Sequence, residues 1–149
     1  MIDKFDGEYA FLSNFYPSPI VIKDDEDEFI AKTVEHYFQF MKTPSMEEGI
    51  VILCAETPGQ AKRLGRKCYL RKDWDEVKDD IMLKALREKF EHPKLRTMLL
   101  ATGDETLVEG NHWHDNYWGV CSCDKCKGIG KNKLGQLLMK VREEIRNDT

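Results

Sequence analysis

The sequence predicts an α+β fold, mainly helical, in a single domain with a few short strands. A chain of 149 residues fits one domain with one core. Most of the chain after residue 32 carries apolar residues at helical spacing, whereas the strand-like segments are short. Strands and helices do not alternate regularly, which argues against a doubly wound α/β sheet. We expect one domain that covers residues 1–149.

The first part of the chain predicts short strands and turns. Residues 5–22 are rich in aromatic and turn-forming residues. Ile20–Ile22 and Glu28–Ala31 are predicted to pair as a hairpin. The acidic stretch Asp24–Asp27 then forms a solvated turn between them.

Residues 33–43 predict a first helix with an unusual distribution of side chains. Thr33 is a suitable N-cap, and apolar residues occupy most of the circumference. At about 100° per residue, Glu35, Gln39 and Lys42 fall within about 60° of one another. A helix of this kind is usually buried, and a polar stripe on it needs partners or a water-filled cavity. The stripe is either a catalytic face or a pair of charges that complement the helix dipole.

The remaining helices have recognisable start and stop signals. Residues 45–55 and 58–65 predict two helices, with Gly65 as a C-cap of the second. A capping box at 73–76 predicts a long helix to about residue 90, and residues 93–100 predict another.

The last third of the chain predicts a strand, a loop and a final helix. Glu105–Glu109 predicts a short strand, and residues 110–131 predict a loop rich in aromatic, His and Cys residues. Asn132 is expected to cap a final helix, whose apolar residues form one face.

A basic cluster and an aromatic loop are candidate binding elements. Residues 61–72 contain six basic side chains, of which Lys62 and Arg66 share a helical edge if the helix extends that far. They can hold a phosphate or pyrophosphate, or form a solvated basic face. In residues 112–120, Asp115 lies between aromatic residues that could stack on a base, and Gly119 would allow backbone to approach a ligand. This loop can equally be structural, and Trp74 is either a core anchor or a stacking platform.

Three cysteines cluster at positions 121, 123 and 126, with His112 and His114 nearby. Three thiolates and an imidazole could bind zinc. The usual pair of C-x-x-C motifs is missing, so a reduced loop without metal is favoured, and no cofactor is expected.

Composition restricts the partners and the compartment. The net charge of −4 argues against broad electrostatic binding of nucleic acid, although a local basic pocket stays compatible with it. Five cysteines and no charged-then-apolar leader favour a reduced cytoplasmic protein without membrane partners. P-loop, dinucleotide-binding, zincin and G-x-S-x-G motifs are absent from the sequence.

Several segments together resemble the NADAR family, also called the YbiA-like family. The matching segments are FLSNFYPSPI (11–20), VEHYFQFMK (34–42), AKRLGRKCYLRKDWDEVK (61–78), LRTMLLATGDETLVEGNHWHDNYWG (95–119) and GKNKLGQLLMKVREEI (130–145). The resemblance covers nearly the whole chain, in the same order. The Cys-bearing segment at 121–126 departs from the simplest family pattern, in which this loop is short and Gly-rich.

The resemblance implies an α+β fold of the YbiA type and hydrolysis of an N-glycosidic bond to ribose. It implies two substrate classes: ADP-ribose attached to guanine in nucleic acid, and ribosylaminopyrimidine phosphates of riboflavin synthesis. Glu35, Lys42 and Asp115 are the implied catalytic residues. The expected substrate-binding residues are Asn14, Gln39, Lys62, Arg66, Trp74, Trp118 and Gly119.

Two reaction routes stay open from the sequence. Both substrate classes are glycosylamines, so Lys42 could exchange onto C1′ through an imine. A carboxylate could instead activate water against an oxocarbenium-like sugar. A non-catalytic module that binds ADP-ribose or NAD is the alternative from a different functional class, and it would not need the Glu35/Lys42 stripe.

Overall fold

The computed structural model describes residues 1–148, which fall into two compact units. The continuous unit is Asn14–Lys89, and the discontinuous unit combines Met1–Ser13 with the chain from Phe90 onward. Helices dominate, and the strands are few and short. The predicted mainly helical α+β class is therefore confirmed, while the domain limits 1–149 stay a prediction.

The continuous unit is built around its first helix. Its elements are β1 (Ile20–Asp24), β2 (Asp27–Ala31), α1 (Val34–Lys42), α2 (Met46–Leu53), α3 (Pro58–Lys67) and α4 (Trp74–Lys89). Helix α1 packs against α2, α3 and α4, and also contacts both strands. The predicted hairpin is confirmed: β1 and β2 are antiparallel, with Ile20 opposite Ala31 and Asp24 opposite Asp27. Asp25 in the turn has a φ of 48°, a conformation that Asp tolerates better than most residues.

The N-terminal turn of α1 is fixed by buried hydrogen bonds. The Thr33 hydroxyl accepts a hydrogen bond from the His36 backbone N–H at 3.1 Å, which confirms Thr33 as the N-cap. The His36 ring is 0% exposed, with Nε2 3.0 Å from the Ala55 carbonyl oxygen and Nδ1 2.8 Å from the Thr33 hydroxyl. Because a carbonyl only accepts, Nε2 is the donor. Burial lowers the pKa of His36, so the ring is neutral at neutral pH.

The prediction that α3 ends at Gly65 is wrong, because the helix continues to Lys67. Gly65 is buried inside the helix and lies against α1. A glycine near the end of a helix can serve as a cap or allow a neighbouring element to approach closely. Here it has the second role, which the local sequence does not distinguish from the first.

The discontinuous unit contains a 3-10 helix (Gly7–Leu12), α5 (Pro93–Ala101), β3 (Gly110–Asn111), β4 (Val120–Cys121) and α6 (Lys133–Asn147). Helices α5 and α6 pack together, and β3 pairs with β4 in parallel. The N-terminal segment joins this unit through Ile2, whose N–H donates to the Thr106 carbonyl at 2.8 Å.

One prediction in this unit is wrong, and another holds only in part. Residues 105–109 do not form a strand, because Leu107 makes only an isolated bridge with Ile2 and the pairing extends no further. Asn132 is the N-cap residue of α6, as predicted, but its side chain makes no capping hydrogen bond. Its amide instead accepts from the Glu109 N–H at 3.0 Å and donates to the Leu107 carbonyl at 2.9 Å. These bonds use the side chain that a cap would need.

Across residues 1–148, no helix combines the length and apolar character needed to cross a membrane.

Candidate active site

The polar stripe predicted on α1 exists as a chain of hydrogen bonds. Gln39 Nε2 donates to Glu35 Oε1 at 2.8 Å, and Lys42 Nζ donates to Gln39 Oε1 at 3.5 Å. Glu35 is 7% exposed and Gln39 is 5% exposed, while Lys42 is half-buried. The amide therefore joins a buried carboxylate to an ammonium group that solvent can reach. Glu35 lies in the first turn of α1 and Lys42 in the last, so both charges also complement the helix dipole.

Gly65 on α3 leaves the space that the Gln39 side chain occupies. A Cβ atom built on Gly65 would overlap the Gln39 amide, so any other residue here would displace that side chain or the helix. The Gln39 amide is thus held between Glu35, Lys42 and the α3 backbone. This contact fixes the orientation of the Gln39 amide. Rotation toward α3 would cause a steric clash, and loss of its hydrogen-bond partners would leave a buried polar group unsatisfied.

The C-terminal end of α1 is attached to the segment that precedes α4. The Arg71 N–H donates to the Lys42 carbonyl at 3.0 Å, and Arg71 Nη1 donates to the Met41 carbonyl at 3.3 Å. The same guanidinium binds both carboxylate oxygens of Asp73, at 2.6 and 3.0 Å, which lowers the pKa of Asp73. The position of Lys42 is therefore determined by α3 and by this segment as well as by α1.

Trp74 begins α4 as a buried ring. It is 6% exposed, and its ring centroid lies 4.8 Å from that of Phe38 on α1, in a tilted arrangement. This contact anchors α4 to α1. Whether a small exposed edge of the indole also stacks on a substrate base stays a prediction.

Asn14 adds a second amide next to the start of the stripe. Its backbone carbonyl accepts from the Glu35 N–H at 3.1 Å, and its Nδ2 donates to Met82 Sδ at 3.6 Å. Among the described residues, the buried Asn14 Oδ1 accepts no hydrogen bond. A buried acceptor of this kind is favourable only when a donor reaches it, which makes Asn14 a suitable contact for a hydroxyl or amino group of a ligand.

The basic side chains of α3 lie on two different edges of the helix. Because α3 includes both Lys62 and Arg66, the two are about 40° apart and share an edge, as predicted. Lys62 is half-buried and Arg66 is exposed. The opposite edge borders a separate surface groove of about 250 Å³, lined by Gln60, Arg63, Leu64 and Lys67.

Asp115 lies in the discontinuous unit, in the loop between β3 and β4. Its Oδ1 accepts from the N–H groups of Tyr117, at 3.2 Å, and of Trp118, at 2.9 Å. One carboxylate oxygen therefore holds the turn. The Trp118 ring packs edge-on against Tyr117, with 4.9 Å between the centroids. Asp115 and Trp118 are half-buried, so both are accessible in part.

Asn111 positions this loop, and sequence reasoning missed it. Its Oδ1 accepts from the Asp115 N–H at 3.2 Å, and its Nδ2 donates to the Asp115 carbonyl at 2.9 Å and to Glu109 Oε2 at 3.1 Å. The buried Gly119 packs against Glu109 and Asn111, where a Cβ would overlap both. Its lack of a side chain is thus explained by packing. The four-residue spacing of Asn111 and Asp115 within one loop was the only available signal.

The predicted site residues are divided between the units. The continuous unit brings together Glu35, Gln39 and Lys42, with Asn14 hydrogen-bonded to Glu35 and α3 packed against Gln39. Asp115, Trp118 and Gly119 form a second group in the discontinuous unit.

Comparisons with known proteins place the chain in a family. The family model described as the NADAR domain matches residues 2–146. A protein named N-glycosidase in Nostoc punctiforme is 45% identical over 145 residues, covering 93% of this chain and 87% of that protein. The protein named N-glycosidase YbiA in Escherichia coli is 43% identical over 141 residues, covering 93% of this chain and 82% of that protein.

A solved structure and a longer relative extend the comparison. The NMR structure of Escherichia coli YbiA matches with a TM-score of 0.78 and 40% identity, covering 99% of this chain and 88% of that one. A protein named riboflavin biosynthesis protein in Vibrio vulnificus is 38% identical over 144 residues, which make up only 37% of its length. The prediction of an N-glycosyl hydrolase is confirmed by the names of the first relatives. The chain belongs to the NADAR family, with a fold of the YbiA type.

Proposed function

We propose that this chain hydrolyses the N-glycosidic bond between ribose C1′ and an exocyclic amino nitrogen, and that its main substrate is ADP-ribose attached to guanine in nucleic acid. The single observation that supports this most is the hydrogen-bonded sequence Glu35–Gln39–Lys42 on a buried helix. It supplies an acid–base group and an amine within one rigid surface. A purely binding module would have no need for a buried carboxylate linked to an amine.

The stripe suits a leaving group that is an amine. In the covalent route, the ribose opens to an imine, and neutral Lys42 adds to C1′. The two hydrogens of the Lys42 amine pass to the base nitrogen, the C–N bond to the base breaks, and the base leaves as a primary amine while Lys42 is left joined to C1′ as an imine. Water hydrolyses the Lys42 imine and releases the sugar as an aldehyde that recloses, so the net reaction consumes one water. Glu35 accepts and returns protons during these steps.

The alternative route uses water directly. Glu35 takes a proton from a water molecule that attacks C1′ as the C–N bond breaks, and one proton is delivered to the leaving nitrogen so that the base departs as an amine. The positive charge that develops on the sugar is stabilised by a carboxylate. Lys42 then binds or neutralises a phosphate. Gln39 orients Glu35 in both routes, because its Nε2 donates to the carboxylate at 2.8 Å.

Phosphate binding is assigned to the edge of α3 that carries Lys62 and Arg66. Gly65, which packs against Gln39, lies on the same helix between Lys62 and Arg66. The guanidinium of an arginine can donate hydrogen bonds to two phosphate oxygens at once. The net charge of −4 disfavours a long nucleic-acid footprint, so we propose that recognition is limited to the modified nucleotide.

The remaining residues have narrower roles. Asn14 Oδ1 accepts a hydrogen bond from a ribose hydroxyl or an amino group. Trp74 contacts the base, and Trp118 is a substrate-binding candidate on the strength of the family resemblance. Gly119 packs against Glu109 and Asn111. Asp115 stabilises positive charge at C1′ or orients a ribose hydroxyl, and this role rests on the family motif.

A second candidate substrate is a ribosylaminopyrimidine phosphate of riboflavin synthesis. It is favoured by relatives that are named riboflavin biosynthesis proteins in Vibrio vulnificus and Zea mays, at 38% identity each. The bond broken is of the same type, so the stripe would act in the same way.

The proposal is tested by a turnover assay in which purified protein is given each of the two substrates under the same conditions. One substrate is an oligonucleotide with a single ADP-ribosylated guanine, and the other is the ribosylaminopyrimidine phosphate. We expect faster release of ADP-ribose from the first than of ribose phosphate from the second. Release from the second alone would assign the chain to riboflavin intermediates. Tight binding of ADP-ribose without release from either would favour the non-catalytic module.

Asp115→Asn tests the catalytic role of the second carboxylate. The amide oxygen of Asn can still accept from the N–H groups of Tyr117 and Trp118, so the turn is retained while the charge is lost. We expect turnover to fall at least 100-fold, in the range of about 10²–10⁴ for an acid–base or charge-stabilising group. The melting temperature should stay close to that of the wild type. If Asp115→Ala loses activity while Asp115→Asn stays fully active, Asp115 is needed for the structure of the turn and not for its charge.

A further inference from the structure

The three cysteines of the segment that departs from the family pattern converge with His114 of the β3–β4 loop. His114, Cys121, Cys123 and Cys126 each offer one ligand atom, and these four atoms all lie within 4.8 Å of one another. His114 Nδ1 is 3.3 Å from Cys123 Sγ and 3.5 Å from Cys126 Sγ. In a tetrahedral zinc site with Zn–S near 2.3 Å and Zn–N near 2.0 Å, ligand atoms are separated by about 3.5–3.8 Å. The two nitrogen–sulfur distances are therefore close to those of a zinc site, and a contraction of at most about 1 Å brings the remaining atoms to the same spacing.

The surrounding backbone holds the sulfur atoms in place. The His114 N–H points to Cys121 Sγ at 3.3 Å, and the Cys126 N–H points to Cys123 Sγ at 3.4 Å. The Asn116 side-chain amide donates to Cys126 Sγ at 3.5 Å. Hydrogen bonds to the sulfur atoms stabilise thiolates, and outer contacts of this kind orient metal ligands. Each of the three sulfur atoms thus has a donor.

The loop between the cysteines is closed by its own hydrogen bonds. The Lys127 N–H donates to the Cys123 carbonyl and the Gly128 N–H to the Cys121 carbonyl, both at 2.8 Å. Lys127 and Gly128 have φ values of 51° and 80°, which reverse the chain after Cys126. The segment that carries the C-x-C and C-x-x-C motifs therefore folds back onto β4, where Cys121 is 0% exposed.

We propose that His114, Cys121, Cys123 and Cys126 bind one structural zinc ion in this loop. Three thiolates and an imidazole are a common ligand set for structural zinc. Because four protein ligands fill the tetrahedron, no position is open for water or substrate. The ion therefore stabilises the loop and takes no part in the reaction. The expectation of a metal-free loop rested on the missing second C-x-x-C motif, and the structure brings His114, rather than a fourth cysteine, next to the three sulfur atoms.

Metal content of the full chain tests the site. Protein purified under reducing conditions, without an affinity tag that binds metal, is expected to contain one zinc per chain. Cys123→Ser and Cys126→Ser should lose this zinc. Cys54→Ser is the matched control, because Cys54 is an exposed free cysteine at the end of α2, and it should retain the metal.

Cobalt substitution provides a readout that does not depend on folding of the variants. Wild-type apoprotein titrated with Co²⁺ should give thiolate-to-metal charge-transfer and tetrahedral d–d bands that saturate at one equivalent. Zinc should displace the cobalt. The melting temperature of the wild type should fall on chelation, whereas that of Cys126→Ser should not respond. Absence of the cobalt bands would overturn the proposal. A disulfide within the loop that persists after purification under reducing conditions would overturn it as well.

Discussion

Replacement of Glu35 by Gln is expected to lower turnover by about 10²–10⁴-fold, the usual contribution of a general acid–base group. The substitution is nearly isosteric. The new amide oxygen can still accept from Gln39 Nε2, and Gln39 Oε1 still accepts from Lys42, so the stripe is preserved without its negative charge. Turnover of the preferred substrate and the melting temperature are measured together.

Glu47→Gln is the matched control for this experiment. Glu47 is an exposed carboxylate in the first turn of α2, and its replacement should leave turnover unchanged. Less than a threefold loss in Glu35→Gln, at unchanged melting temperature, would remove Glu35 from the reaction. A large loss with a lowered melting temperature would indicate a structural role and would require the Gln39 contact to be tested separately.

Lys42→Arg is expected to abolish turnover if the covalent route is correct. The guanidinium keeps the positive charge but is a poor nucleophile. Borohydride added during turnover reduces an imine to a stable amine, so mass spectrometry of the peptide that contains Lys42 should reveal a ribosyl adduct. The adduct should be absent when substrate is omitted and absent in Lys42→Arg.

Lys140→Arg serves as the control for the lysine experiment, because Lys140 is exposed on α6. The adduct should form on Lys42 in this variant as in the wild type. If Lys42→Arg keeps near wild-type turnover and no adduct is trapped, the covalent route is wrong. Direct attack by water with Glu35 would then be the mechanism.

The elements that the sequence predicted well are those with a complete local signal. The hairpin has alternating apolar residues and a two-residue turn, and α1 has an N-cap and a helical pattern. The stripe could also be predicted, since the spacing of Glu35, Gln39 and Lys42 alone places them on one face. Its burial followed from the apolar residues around it, and both features are confirmed by the structure.

The failures have a common physical cause, which is that long-range contacts decided the outcome. Gly65 continues a helix because Gln39 needs its space, and Asn132 binds residues 107 and 109 across the chain. Asn111 was overlooked because its partner Asp115 is brought to it by the loop between β3 and β4. The residue-by-residue roles in catalysis stay predictions, since they depend on a substrate.

The division into a continuous and a discontinuous unit has a consequence for biogenesis. The continuous unit is encoded by one uninterrupted segment, so its contacts can form once residue 89 has emerged from the ribosome. The discontinuous unit must wait for its later half, because Ile2 pairs with Thr106 and Val108. Closure across an intervening segment of this length is entropically costly and kinetically slow. The N-terminal residues of a nascent chain are therefore expected to stay accessible to chaperones and proteases until α5 and the segment after it have emerged from the ribosome.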